Sequence, residues 1–392
     1  MSEAVVIVAA KRTAIGSMNG QFVSLTSPQL AATAIKGALA QSGVKPEAIT
    51  EAIIGCVLPA GLGQAPARQA VLGAGLLQST ACLTINKVCG SGMKAAMLGF
   101  DQITAGSATA ILVGGMESMS NAPHMLPKAR QGYRYGHSRV LDHMAFDGLE
   151  NAYDGKSMGI FADATAAKYG FTREAQDAFA TESVKRAQAA VASGAFKAEI
   201  AAVMVAGKGG EVALEIDEPP AMCKPEKISS LRPAFNKDGT VTAASSSSIS
   251  DGAAMLILMS ESAAKEQGIT PIARICGHAS NAHEPEWFTT APVGAIDKLQ
   301  KKLGWAVADV DLYEINEAFA VVTMAAMHDL KLPHDKVNVN GGACALGHPI
   351  GATGARLLVT LLHALKARGG KRGIASLCIG GGEATALAVE LI

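Results

Sequence analysis

Short, continuous apolar runs alternate with longer amphipathic stretches over the opening third of the chain. "AVVIVAA" (4–10), "AITEAIIGCVL" (48–58), "TINKVC" (84–89) and "ATAILVGGMES" (108–118) read as strands buried on both faces. Between them, "SPQLAATAIKGALAQSGV", "PARQAVLGAGL" and "GSGMKAAMLGFDQITAG" read as helices. In the first, Ser27 suits the N-cap, Pro28 the first turn and Gly43 the stop. Buried strands separated by helices predict an α/β fold with a sheet covered on both sides.

Much of this pattern returns later. Ala34, Ile35 and Gly43 match Ala295, Ile296 and Gly304, and Ile49 and Ile54 match Val310 and Ile315. "ATAILVGG" echoes "GIASLCIGG", and "DGAAMLILM" (251–259) echoes "GEATALAVE". The order of elements agrees throughout, which predicts two similar α/β halves. The second runs unbroken over 270–392, whereas the first comprises 1–120 plus 250–269. Residues 121–249 form an insertion of polar, proline-rich character, with one helix pair between about Ser157 and Ala201.

Composition narrows the function. The 392 residues are 49% hydrophobic and carry 34 basic against 34 acidic side chains, with no basic stripe or arginine-rich run, which argues against a nucleic-acid-binding surface. The run Val5–Ala10 is too short for a signal peptide and is followed by Lys11 and Arg12, and no stretch approaches a membrane span. The 7 cysteines are odd in number and form no CxxC pair, so reduced thiols and a cytoplasmic location are expected. No metal-ligand spacing, Walker loop or dinucleotide fingerprint occurs; the Gly-Lys-Gly-Gly stretch at 207–210 lacks the Walker spacing.

Three polar clusters fall on glycine-rich turns after strands, where open α/β sheets gather ligands. Cys89 precedes a helix, whose positive end would favour the thiolate; the competing reading is a structural cysteine. His348 lies between two glycine turns before a helix, and could equally be a surface-loop residue. Cys378 ends a strand and precedes three glycines; it could be a core residue, but adjacent glycines also signal close backbone approach to a ligand. Cys89 and His348 occupy matching turns of the two halves, so symmetry would bring them together. Asn316 ends another strand toward the same side, as an oxyanion or water partner, a helix N-cap, or both.

Together, "NKVCGSGMKA", "NEAFA", "GGACALGHPIGATGAR" and "CIGGG" resemble the four signature blocks of the thiolases, and the resemblance covers essentially the whole chain. It implies a duplicated αβαβα layered fold with an inserted loop domain. It also implies the biosynthetic branch, which reversibly condenses two acetyl-CoA molecules to acetoacetyl-CoA plus coenzyme A through an acyl-cysteine. By this resemblance Cys89 carries the acyl group, His348 is its general base, and Cys378 is the acid and base of the condensation. One oxyanion hole would use His348 and a water held by Asn316, the other the N–H groups of Cys89 and Gly380. Ser247, Met158, Leu149, Phe235, Ala318, Phe319, Lys224 and Lys227 would contact substrate. Coenzyme A is then substrate and product, with no cofactor or metal. The loop 121–143 would make a homotetramer, a dimer of dimers, although a mobile lid would have the same sequence.

Three departures bear on the details. The segment Ala243–Gly252 lacks two glycines and two asparagines of the family pattern, and losing glycine at 244 and 248 would alter the loop if those positions need positive φ. Ser157 replaces a histidine ahead of Met158, which favours a wider acyl preference. The arginine expected after "DEPP" is absent, leaving Lys224 or Lys227 as looser point charges and weaker coenzyme A binding as the expectation. The alternatives are thus a 3-ketoacyl-CoA thiolase of broader chain length or a non-catalytic acyl-CoA-binding relative. A papain-type hydrolase would need neither Cys378 nor a duplicated sheet.

Overall fold

The computed structural model describes residues 3–207 and 209–392; Lys208, in the Gly-Lys-Gly-Gly stretch, lies outside them. The first half supplies strands β1 (Val5–Arg12), β2 (Glu51–Gly55), β3 (Ala81–Ile85), β4 (Ala110–Ser118) and β5 (Ser250–Ser260). The second supplies β6 (Ala273–Ala282), β7 (Leu312–Ile315), β8 (Arg372–Ile379) and β9 (Glu383–Leu391). They lie side by side in the order β7-β8-β9-β6-β1-β5-β4-β2-β3.

Internal symmetry is visible in that order. In the first half β2 runs parallel to β4, and β4, β5 and β1 are joined by antiparallel pairs. In the second, β7 is parallel to β8, with β8, β9 and β6 antiparallel. The halves meet at a two-residue seam, Val6 opposite Arg274 and Ile7 opposite Ala273. Strand β5 lies between β1 and β4 although more than a hundred residues separate it from β4 in sequence.

Seven principal helices accompany the strands: α1 (Ser27–Ser42), α2 (Ser91–Thr104), α3 (Met158–Tyr169), α4 (Arg173–Ser193), α5 (Ala291–Leu303), α6 (Ala320–Leu330) and α7 (Ile350–Arg368). Helices α2 and α7 pack between the two half-sheets; α1 covers the outer face of the first half and α5 that of the second. This is the five-layer αβαβα arrangement. Strand β5 shows why its sequence is an unbroken apolar run: Ala254, Leu256 and Leu258 join the central core with Met93 and Leu361, while Met255, Ile257 and Met259 pack under α1 with Leu30 and Ile35.

Two local expectations shift. The capping position of α1 is Thr26, whose N–H donates to Gln29 Oε1 at 2.8 Å, and Ser27 lies within the first turn. Gly43 ends the helix at φ 69° as expected. The strand read over "TINKVC" stops at Ile85, because Asn86–Gly90 turns sharply: Val88 has φ 45°, and Asn86 Oδ1 accepts its N–H at 2.8 Å.

Close packing of α2 on α7 positions the site. A Cβ on Gly92 would lie 2.8 Å from the Ala355 nitrogen, and one on Gly354 would lie 2.4 Å from the Met93 nitrogen. The backbones therefore touch, and the N-termini of both helices reach the same end of the sheet. The insertion docks through Arg12, which is fully buried and bonds Glu199 at 2.6 Å and Asp217 at 2.7 and 2.8 Å.

Candidate active site

Cys89 stands at the entrance of α2, one residue after the strained Val88; a β-branched residue at positive φ is rare and persists only when its surroundings enforce it. They do so here. Ser91 Oγ accepts the Lys87 N–H at 2.8 Å and donates to the Val88 carbonyl at 2.7 Å, and Lys87 Nζ pairs with Glu383 beyond the glycine turn that follows β8. Cys378 ends β8 and is fully buried.

His348 lies just before α7, buried at 6% exposure, so the surface-loop reading fails. Its backbone N–H donates to Ser248 O at 3.1 Å. Its ring contacts Asn316 Nδ2 at 3.4 Å through Nε2, and Thr353 Oγ1 at 2.6 Å through Nδ1. Asn316 follows β7, its N–H donating to Ser376 O at 3.0 Å. It is not a helix cap, because α6 begins four residues on, at Ala320. Its buried Oδ1 has no partner among the described residues.

These turns converge on a cavity of about 220 Å³. Cys89, His348, Cys378 and Gly380 line it together with Leu149, Met158, Phe235, Ala318, Phe319, Ser157 and Ser247. Asn316 stands behind His348 rather than in the wall. Ser247 is tethered to Ala318 O by both its N–H (3.0 Å) and its hydroxyl (3.1 Å). Lys224 and Lys227 are not in this cavity; they line a neighbouring cleft of about 550 Å³ that shares the wall Ser246, Ser248 and Ile249. Neither Ala244 nor Ser248 has positive φ, so losing glycine there leaves the loop backbone unstrained. Gly347 is the position that needs glycine: its φ is +91° and a Cβ would lie 2.1 Å from Ser250 Oγ.

The electrostatics correct one expectation. Proximity to a helix end does not make Cys89 a ready thiolate: burial pushes its thiol up to about 11, against the pull of N–H groups of Gly380 and of Cys89 itself. Burial, with Cys89 alongside, also raises Cys378. Burial and the Arg356 guanidinium hold His348 down to about 3. Burial thus favours the uncharged form of all three groups, two thiols and an imidazole.

Two acidic residues that brace the site, Glu117 and Glu317, were given no role by the sequence. Glu117, at the end of β4, accepts N–H groups from Val57 (3.0 Å), Leu58 (3.1 Å) and Gly351 (2.9 Å), tying the first turn of α7 to the sheet. Burial raises its carboxyl to about 7. Glu317 accepts from Ser183 Oγ (2.7 Å), Asn338 Nδ2 (2.8 Å) and the Cys344 N–H (3.1 Å), bracing the turn before His348 against α4. The only signals for them in sequence were acidic residues beside otherwise apolar strand ends.

With fold and site in view, the chain belongs to the thiolase family: residues 5–262 match the thiolase N-terminal domain and 269–391 the thiolase C-terminal domain. Among its relatives, the acetyl-CoA acetyltransferase of Chromobacterium violaceum is 51% identical over 98% of this chain and 99% of that protein. The acetyl-CoA acetyltransferase of Escherichia coli is 50% identical over 98% of each. A crystal structure of the Bacillus anthracis acetyl-CoA acetyltransferase superposes with TM-score 0.97 at 40% identity, covering 100% of this chain and 99% of that one. A thiolase from Ascaris suum in complex with coenzyme A superposes with TM-score 0.95 at 42% identity, covering 100% of both.

Proposed function

We propose that this protein is an acetyl-CoA C-acetyltransferase that condenses two acetyl-CoA molecules to acetoacetyl-CoA and coenzyme A, reversibly, through an acetyl group carried on Cys89. The observation that carries the reading is the convergence of two thiols and one imidazole, Cys89, Cys378 and His348, on one small apolar cavity. A simple acyl-CoA binder has no need of that set.

The chemistry follows from the neutral groups. Cys89 Sγ attacks the thioester carbonyl while its proton passes to His348 Nε2, and the developing oxyanion offsets the imidazolium that burial otherwise disfavours. The departing coenzyme A thiolate takes its proton from Cys378. Cys378, now a thiolate, removes a methyl proton from the second acetyl-CoA, and the enolate attacks the acetyl group on Cys89. The Cys89 thiolate leaves and recovers its proton from His348. Asn316 Nδ2 serves the oxyanion on the His348 side through a water, and the Cys89 and Gly380 N–H groups serve the other, each donor worth about 3–4 kcal/mol in such holes.

Met158, Leu149, Phe235, Ala318 and Phe319 bound the acyl pocket, with Ser157 leaving its rim less filled than a histidine would. Ser247 borders the pantetheine path, and Lys224 and Lys227 give the neighbouring cleft its positive charge. The coenzyme A complex of the Ascaris suum thiolase supports a coenzyme A ester as the ligand of that cleft. A homotetramer accords with the exposed edge strand β3, where Leu83 is 45% exposed, and with Leu126, Tyr135 and Val140 on the 121–143 loop. A cytoplasmic location accords with seven free cysteines, and no helix among the described residues is long and apolar enough to cross a membrane.

Thiolysis of acetoacetyl-CoA against longer 3-ketoacyl-CoA esters tests the reading. Strong preference for acetoacetyl-CoA, lost in Cys89→Ala, is expected. Equal rates on longer chains would make the protein a broader 3-ketoacyl-CoA thiolase, and no turnover with coenzyme A still bound would make it a binding protein.

A further inference from the structure

His348 Nδ1 lies 2.6 Å from Thr353 Oγ1, and Thr353 Oγ1 lies 2.9 Å from the Pro349 carbonyl oxygen. A hydroxyl bonding the carbonyl four residues back is common in helices and alone says nothing. The second partner changes that. A hydroxyl has one hydrogen, and a carbonyl oxygen can only accept. The Thr353 hydrogen therefore goes to Pro349, and its oxygen must accept from Nδ1–H. A neutral imidazole carries one N–H, so Nε2 is left with a bare lone pair, toward which Asn316 Nδ2 points at 3.4 Å.

We propose that Thr353 is a positioning residue for acyl transfer: by holding His348 Nδ1–H it fixes the one tautomer whose Nε2 can take the Cys89 proton. In a Ser-His-Asp arrangement a carboxylate does this work. A hydroxyl orients the ring equally well but does not stabilise the imidazolium. The other groups around the ring are the neutral thiols Cys89 and Cys378, the Asn316 amide and, one turn beyond Thr353 on α7, Arg356, which pairs with Glu314 at 3.6 Å. Glu117 meets α7 at Gly351. No carboxylate hydrogen-bonds the ring among the described residues. The site is thus built to keep Cys89 and His348 as thiol and imidazole until a thioester arrives. Cys89 then bonds the acyl carbon, the carbon–sulfur bond to coenzyme A breaks, and the Cys89 proton moves to Nε2.

The inference rests on His348 serving as base for Cys89, and failure of that reading shows separately, as His348→Asn leaving thiolysis unchanged. Thr353→Val keeps the shape and removes the acceptor. Thiolysis kcat is expected to fall about 10²-fold with KM within about twofold, since the ring is free to turn or change tautomer. Thr353→Ala should behave like Val, and Thr353→Ser should regain most of the loss. A folded Val or Ala variant within about threefold of wild-type kcat, or a Ser variant as slow as Val, overturns the proposal. Should neither fold, ¹⁵N-histidine NMR of the wild-type protein, with the His348 signals assigned by their loss in His348→Asn, reads the tautomer directly. Protonated Nδ1 with bare Nε2 supports the proposal, and protonated Nε2 overturns it.

Discussion

Gly354→Ala tests how the fold sets the distance between the two reactive turns. In a helix interior this change ordinarily stabilises by about 0.5–1 kcal/mol, through the unfolded chain and helix propensity. Here the new methyl would stand 2.4 Å from the Met93 nitrogen, 2.7 Å from its Cβ and 3.0 Å from its Cα. These are backbone atoms of α2 and the base of a buried side chain, so none can swing aside. Restoring van der Waals contact near 3.5 Å requires α7 to move from α2 by about 1 Å, at about 1–3 kcal/mol of overpacking. The same movement separates His348, at the start of α7, from Cys89, at the start of α2, and a displacement of that size costs about 10²-fold in rate. Urea unfolding and thiolysis kinetics read the two effects. Gly73→Ala is the control: its Cβ would meet only Ala32 Cβ at 3.5 Å, an ordinary contact, so it should leave stability and activity near wild type. A Gly354→Ala protein as stable and as active as that control would refute the account of helix spacing.

Other expectations follow from the same geometry. Because burial holds the Cys89 thiol up to about 11, its alkylation by iodoacetamide should accelerate about tenfold per pH unit from pH 7 to 9; a plateau already reached at pH 7 would mean a preformed thiolate. His348 is held near 3 in the folded protein against 6.5 unfolded, so the unfolded chain takes up its proton first. The associated stability is complete above about pH 6.5 and is lost as pH falls toward 3. Melting temperature should therefore drop less steeply over that window in His348→Asn than in wild type. Arg12→Met leaves the buried Glu199 and Asp217 without their cation, and should cost about 3–5 kcal/mol in urea unfolding. Neutralising Lys224 and Lys227 together should raise KM for coenzyme A esters several-fold while leaving kcat near wild type, and flatten the salt dependence of KM.

The convergence of Cys89, His348 and Cys378 on one cavity was legible because each sits where a strand meets a glycine-rich turn, and the repeat of "ATAILVGG" in "GIASLCIGG" relates the turns of the two halves. The pairing of β5 with β1 and β4 across a long stretch of sequence was legible for the same reason, since "DGAAMLILM" repeats in "GEATALAVE". What was hidden depends on contacts between distant segments. Thr353 sits inside a helix, and its role exists only because the turn before α7 folds the His348 ring back onto it. Glu117 reads as the tail of a strand until Val57 and Gly351 are seen to reach it. The strand-forming residues Thr84, Ile85 and Val88 extended the predicted strand too far, because local bonds to Asn86 and Ser91 override the β-propensity of valine. The thiolate expected at Cys89 failed for a related reason: a helix end is visible in sequence, but the depth at which its sulfur is buried is not.

In the proposed reaction Cys89 carries the acetyl group. Incubating the protein with acetyl-CoA alone, quenching in acid and mapping the peptides by mass spectrometry tests it directly. An acetyl group on Cys89 that disappears on adding coenzyme A is expected, with no acetyl group in Cys89→Ala. Acetylation at Cys378 instead, or turnover of acetoacetyl-CoA by Cys89→Ala, would contradict it.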